Sequence, residues 1–252
     1  MPSPLAAAAR RRLISALLAG SMAAASPGAA ESPAAEAARP DSDAGVVVEL
    51  FTSQGCVACP PADALMARLA DRPGVIALSL HVDIWDYLGW ADRFADPAFT
   101  RRQKAYARAE GSRSVFTPQM IVAGRHRITG ARGMELADLI RAETDRPRQV
   151  LIDLQRGDGM LEVIVSAEPP LGHEATVDLV RYTPEATMQI GAGENAGRTV
   201  THHNIVTLWE TLGLWDGAGP LAFHVRIDGA EPVVVIVQEP GPGAILAAAR
   251  AR

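Results

Sequence analysis

Cys56 and Cys59 are the chain's whole thiol inventory, placed as Gly55-Cys56-Val57-Ala58-Cys59-Pro60-Pro61. A pair at C-x-x-C spacing can close into a disulfide and reopen by exchange. One thiolate attacks a substrate disulfide, and its neighbour then attacks the mixed disulfide and frees the product. The pair follows a β-branched run, Val46–Phe51, and precedes helix signals, so it reads as a strand-to-helix turn. A helix N-terminus offers free N–H groups and the positive end of the dipole, and both favour a thiolate. Cys56, at the exposed turn, reads as the nucleophile, and Cys59, one turn in and shielded, as the resolving residue. Two other uses stay open: a fixed, non-catalytic disulfide, and a two-thiolate clip for a soft ion such as Cu(I). Two cysteines are too few for a disulfide-dense scaffold or a four-thiolate zinc site.

Other polar residues stand near this turn. Glu49 sits inside the apolar run, where a charge is costly unless paired. His81, Asp83, Trp85, Asp86, Tyr87 and Trp90 crowd the end of a second strand, the edge where parallel sheets carry their sites. Trp85 and Trp90 suit the wall of a substrate cleft, and His81 or Asp83 would assist proton transfer or a metal. The alternative is a packed loop in which His81 and Asp83 bond each other. Asp63 reads as a favourable charge at a helix N-terminus. His202 and His203, adjacent on a strand, point to opposite faces and cannot easily share a metal. Arg101, Arg102 and Lys104 read as a small solvated helix face. No phosphate-loop, nucleophile-elbow or zinc-protease motif is present, and Gly191-x-Gly193 follows no β-α unit. No cofactor and no resident metal are expected.

The elements that must hold these residues fall into two segments. Over 46–146 the order is β-α-β-α-β-β-α: Val46–Phe51, a helix after Cys59, Val75–Val82, a helix from Asp96-Pro97, Gln119–Ala123, His126–Thr129 and Gly133–Glu143. A crossover helix makes the first strand pair parallel, and a tight turn makes the last pair a hairpin. Over 147–252 short runs separated by turns suggest a β-rich, sandwich-like second domain. Ahead of both, Arg10-Arg11-Arg12 and the apolar stretch Leu13–Ala25 form an export leader over about 1–30, on the general secretory route in preference to the twin-arginine one. Residues 31–45 read as a disordered linker, with order from Val46. No membrane contact beyond the leader is expected, and the location is periplasmic or secreted, where disulfides persist. The net charge of −5, or −8 once the three leader arginines are gone, argues against nucleic acid.

The strand order, the C-x-x-C and Phe116-Thr117-Pro118 together resemble the thioredoxin superfamily over about 46–145. That resemblance implies an α/β thioredoxin-like domain followed by the β-rich one. It also implies a cis Thr117-Pro118 bond facing the cysteines, with both residues guiding an extended substrate, and a buried acid as proton acceptor, a part Glu49 would take. The chain departs from thioredoxin in lacking an N-terminal β-α unit, in Val57-Ala58 between the cysteines, and in having no Trp before Cys56. Four longer motifs are VELFTSQGCxxCPPAD at 48–63, HVDIWDYLGW at 81–90, TPQMIVAG at 117–124 and GENAGRTVTHHN at 193–204. They resemble a family of exported bacterial proteins known only as a domain of unknown function. The activity implied is thiol–disulfide exchange with protein or small-molecule thiols and disulfides.

Overall fold

The computed structural model describes residues 42–251; the leader and the linker up to residue 41 lie outside them. The described residues open with β1 (Ser42–Ala44), ahead of the start expected at Val46, and this strand pairs with the far end of the chain. Then come β2 (Val46–Thr52), α1 (Pro60–Leu69), β3 (Val75–His81), α2 (Pro97–Ala109), β4 (Gln119–Val122), β5 (His126–Thr129) and α3 (Gly133–Thr144). These stand where the local pattern puts them. Pro60 and Pro61 open α1, and the Asp96 carboxylate caps α2 by accepting from the Ala98 N–H at 2.7 Å. The remaining strands are β6 (Val150–Gly157), β7 (Met160–Ala167), β8 (Ala175–Gln189), β9 (Thr199–Trp215), β10 (Leu221–Arg226), β11 (Val233–Gln238) and β12 (Ile245–Ala251).

An α/β thioredoxin-like domain followed by a separate sandwich is not what these elements build. The described residues are mostly β, 44% strand and 18% helix with three α-helices, around a curled nine-stranded sheet. Its order is β1-β12-β11-β8-β9-β3-β2-β4-β5, so strands of both segments share one sheet. The join is β3 with β9, parallel, with Ser79 opposite Ile205. The physical reason is the length of β8 and β9, 15 and 17 residues, which run well beyond the apolar cores Thr176–Thr183 and Ile205–Leu208. Their outer portions are part-exposed and break the alternation; pairing with β8 holds β9 in place, and β9 at Ile205 lies beside β3 and covers an edge that would otherwise stay open. Among the described residues β10-β7-β6 forms a second, separate sheet.

Side chains alternate across β2 and feed two cores. Val46, Val48 and Leu50 pack with Leu65, Met66 and Leu69 of α1 and Leu136 and Ile140 of α3. Val47 and Phe51 pack instead with Phe99 and Tyr106 of α2 and with Val234 and Ile236 across the curl. A third core lies between the small sheet (Leu154, Leu161, Val163) and Val177, Leu179, Val233 and Trp215. The helix that follows the cysteines therefore rests on one face of β2, β3 and β9, and α2 lies on the other.

Candidate functional site

Cys56 and Cys59 are joined by a disulfide, their Cα atoms 5.4 Å apart. The turn that carries them is self-bonded: the Cys56 N–H donates to Ser53 O at 3.1 Å and the Cys59 N–H to Cys56 O at 3.2 Å. Cys59 is the N-cap of α1. The free N–H groups expected there are missing, because Pro60 and Pro61 have none, while the Ala62 and Asp63 N–H groups donate to Cys59 O. The helix dipole is what remains to favour a thiolate. Cys56 is not the exposed cysteine expected: it is 5% exposed and Cys59 0%, whereas Val57 between them is 50% exposed.

What shields Cys56 comes partly from the loop between β8 and β9. Buried Asn195 donates from Nδ2 to Gln54 O and Cys56 O, both at 2.9 Å. The Gln54 N–H donates to Asp92 Oδ2 at 2.7 Å, and Trp90 Nε1–H donates to Gln54 Oε1 at 2.8 Å. Trp90 is thus a brace for the turn. Its ring lies on Gly191, where a Cβ would come within 2.9 Å of it. Trp85 packs beside Gly55, where a Cβ would stand 3.1 Å from the Trp85 Cβ, and its indole N–H donates to Thr117 Oγ1 at 2.7 Å. The Thr117-Pro118 bond is cis, and Pro118 is buried. Tyr87, Leu88 and Phe116 are exposed nearby in sequence.

A buried polar set lies under the N-terminal half of α1. Asp63 Oδ1 accepts from Thr52 Oγ1 at 2.8 Å, and Oδ2 lies 4.0 Å from His202 Nδ1. His202 and His81 meet edge to face, ring centroids 4.6 Å apart, and His81 Nδ1 bonds Asp92 Oδ2 at 2.7 Å. Burial pushes the Asp63 carboxyl up to about 6, against the downward pull of His81 and the Thr52 hydrogen bond. Burial and the neighbouring His81 push the His202 imidazole down to about 3. For Asp92 burial acts upward, but the His81 hydrogen bond and charge and the Gln54 and Phe94 N–H groups hold it below the ordinary value. Sequence reasoning missed Asp63, Asp92, Asn195 and His202 as site residues. Asp63 alone had a local signal, four residues after Cys59 on one helix face.

The other candidates are placed elsewhere. His81 and Asp83 do not bond each other; Asp83 accepts from Thr100 Oγ1 at 2.5 Å. Glu49 lies on the α2 face of β2, away from α1. It accepts from Arg102 Nε and Tyr106 OH, both at 2.6 Å. Arg102 is accordingly no solvated residue: its guanidinium also stacks 3.6 Å over the Trp209 ring and donates to Gln238 Oε1 at 2.9 Å. Burial and the Glu49 charge push the Tyr106 hydroxyl well above 10. His203 turns to the opposite face from His202 and lies 3.6 Å from Glu185. Among the described residues no cluster of three or more His, Cys, Asp or Glu is placed to hold a metal, and no helix is long and apolar enough to cross a membrane.

Fold and site together define a mostly-β protein with a disulfide at a strand-to-helix turn, clamped by a distant loop and backed by buried acids and imidazoles. The chain belongs to the family described as "Protein of unknown function (DUF1223)", which it matches over residues 47–238. Protein AGR_C_4864 from Agrobacterium tumefaciens is similar, 31% identical with a TM-score of 0.70, over 82% of this chain and 93% of that one. HBP35 of Porphyromonas gingivalis is similar in fold, with a TM-score of 0.59 at 16% identity, over 82% of this chain and 74% of that one. No curated protein matches the chain.

Proposed function

We propose that the protein is an exported thiol–disulfide oxidoreductase working through Cys56 and Cys59 on protein or small-molecule thiols and disulfides. The observation that carries the reading is the disulfide itself, closed within the turn that caps α1, with Val57 and Ala58 exposed between its ends. An incoming thiolate meets Cys56, the less buried cysteine, and Cys59 leaves under the helix dipole. Trp85 and Thr117 are assigned the substrate contact, since Trp85 bridges Gly55 and Thr117, whereas Pro118 is buried and has no surface to offer a substrate. Capture tests this. In a Cys59→Ser variant, Cys56 is expected to accumulate mixed disulfides with exported proteins or small thiols, identified by mass spectrometry. Recovery of the variant with Cys56 wholly unmodified counts against exchange.

A second reading has its own support. The clamp of Asn195, Asp92 and Trp90 on Gln54–Cys56, together with the low exposure of both sulfurs, also suits a locked structural bridge. A locked bridge resists dithiothreitol in the folded protein and yields to it only after unfolding.

A further inference from the structure

Resting on the exchange reading, we propose that Asp63 supplies and recovers the proton of Cys59, with His202 beside it and the cleft between α1 and β9 leading to solvent. Three observations converge on this. First, Cys59 has helical dihedrals, φ −77° and ψ −35°, so Asp63 four residues later projects from the same face of α1. Such i, i+4 positions bring Cβ atoms to roughly 5–6 Å. Second, His202 is 2% exposed and both its ring nitrogens lack a hydrogen bond, as does His81 Nε2. A buried imidazole left in this condition costs stability, and a part in proton transfer accounts for its being kept. Third, a cleft of about 550 Å³, lined by Pro60, Asp63, Ala64, Arg198 and Thr201, runs along the N-terminal half of α1 and includes Asp63 in its wall.

Charges around Asp63 are few. β2 offers Thr52, its Glu49 facing away and paired to Arg102. β3 offers His81, itself held by Asp92. β9 offers His202, while His203 turns away to Glu185 and Arg198 is exposed at the cleft. On α1, Arg68 lies in the last turn. Because His202 stays neutral down to about 3, no imidazolium of that residue stabilises the Asp63 carboxylate, and burial keeps the proton on it up to about 6.

An external thiolate attacks Cys56 Sγ, the Cys56–Cys59 bond breaks, and its electron pair leaves on Cys59 Sγ. The Asp63 carboxylic acid passes its proton to that sulfur and is reprotonated through the cleft. A second external thiolate attacks the external sulfur of the mixed disulfide, releasing the external disulfide and the Cys56 thiolate, which takes a proton from solvent. Two external thiols are oxidised and the protein disulfide is reduced. In the reverse direction the Asp63 carboxylate removes the Cys59 proton, and the Cys59 thiolate resolves the mixed disulfide at Cys56.

Reduced full-length protein mixed with 2-hydroxyethyl disulfide separates the two stages by acid quench and mass measurement. For the wild type, resolution by Cys59 should accelerate as pH rises through about 6. Asp63→Asn should slow resolution at least tenfold at pH 7 and move its profile to the alkaline thiol range. Formation of the Cys56 adduct should stay within twofold, and Asp63→Glu should restore part of the loss. Equal resolution rates and profiles in wild type and Asp63→Asn overturn the assignment of Asp63 and leave exchange standing. A wild type that forms no adduct overturns the exchange reading, and this proposal with it. Should Asp63→Asn not fold, carbon NMR of the wild-type Asp63 carboxyl decides. Different titration midpoints in the disulfide and dithiol forms support the proton transfer, and coincident midpoints overturn it.

Discussion

Asp63→Asn should make the disulfide form of the protein more stable at pH 8. The carboxyl is buried, with one hydrogen bond from Thr52 and no cation closer than a neutral His202. Its ordinary value of 3.8 is raised to about 6. At about 1.4 kcal/mol per tenfold that gap corresponds to about 3 kcal/mol. The sign follows from proton binding: between 3.8 and about 6 the native state holds a proton that the unfolded chain has released. The stabilisation is therefore fully present below pH 3.8 and is lost as pH rises through about 6. Asparagine keeps an acceptor for Thr52 and cannot ionise. The variant should match the wild type near pH 3.5 and exceed it by up to about 3 kcal/mol at pH 8. His202 has the opposite sign. Lowered from 6.5 to about 3, it contributes stability that is present above 6.5 and lost as pH falls through about 3. It does so in both proteins and drops out of their difference. Urea unfolding without reductant, at several pH values between 3.5 and 8, measures that difference, provided the m-values agree. A variant no more stable than wild type at pH 8, or a difference independent of pH, refutes the buried-charge reasoning.

Asn195→Ala removes the donor to the Gln54 and Cys56 carbonyls. It should cost about 2 kcal/mol, at about 1 kcal/mol per hydrogen bond, and should speed reduction of the disulfide by dithiothreitol severalfold. Arg102→Ala leaves Glu49 buried and unpaired and should cost about 3–5 kcal/mol, whereas Glu49→Gln with Arg102→Met should lose less than Arg102→Ala alone; both are read by urea unfolding. Gly191→Ala pushes a Cβ against the Trp90 ring at 2.9 Å and should destabilise the fold by about 1–3 kcal/mol, with a change in Trp fluorescence.

Local features were legible in the sequence, and pairings between distant segments were not. The helix starts at Pro60-Pro61 and Asp96-Pro97 and the β-branched runs of β2 and β3 are written within a few residues, so those elements and the cysteine turn could be read directly. The fold class was misread because the β3–β9 pairing joins residues 79 and 205, a contact that no local period encodes. β12, Ile-Leu-Ala-Ala-Ala-Arg-Ala, escaped notice because alanine signals no strand; it is held by pairing with β11 and β1. Arg102 on its helix resembles any solvated arginine until Glu49, 53 residues earlier, comes to meet it. The same separation hid the site. Asn195 reaches Cys56 across 139 residues, and His202 joins Asp63 only because β9 lies under α1. His81 was correctly suspected of a polar partner, but the partner is Asp92 rather than Asp83.

The measurement closest to the central claim is the equilibrium redox titration of Cys56–Cys59 in the folded protein, against graded dithiothreitol or glutathione buffers. An exchange site behaves as a reversible two-electron couple, with both cysteines opening together at a potential above about −300 mV and no loss of fold. A bridge that stays closed until the protein unfolds, with a potential below about −300 mV, contradicts the account.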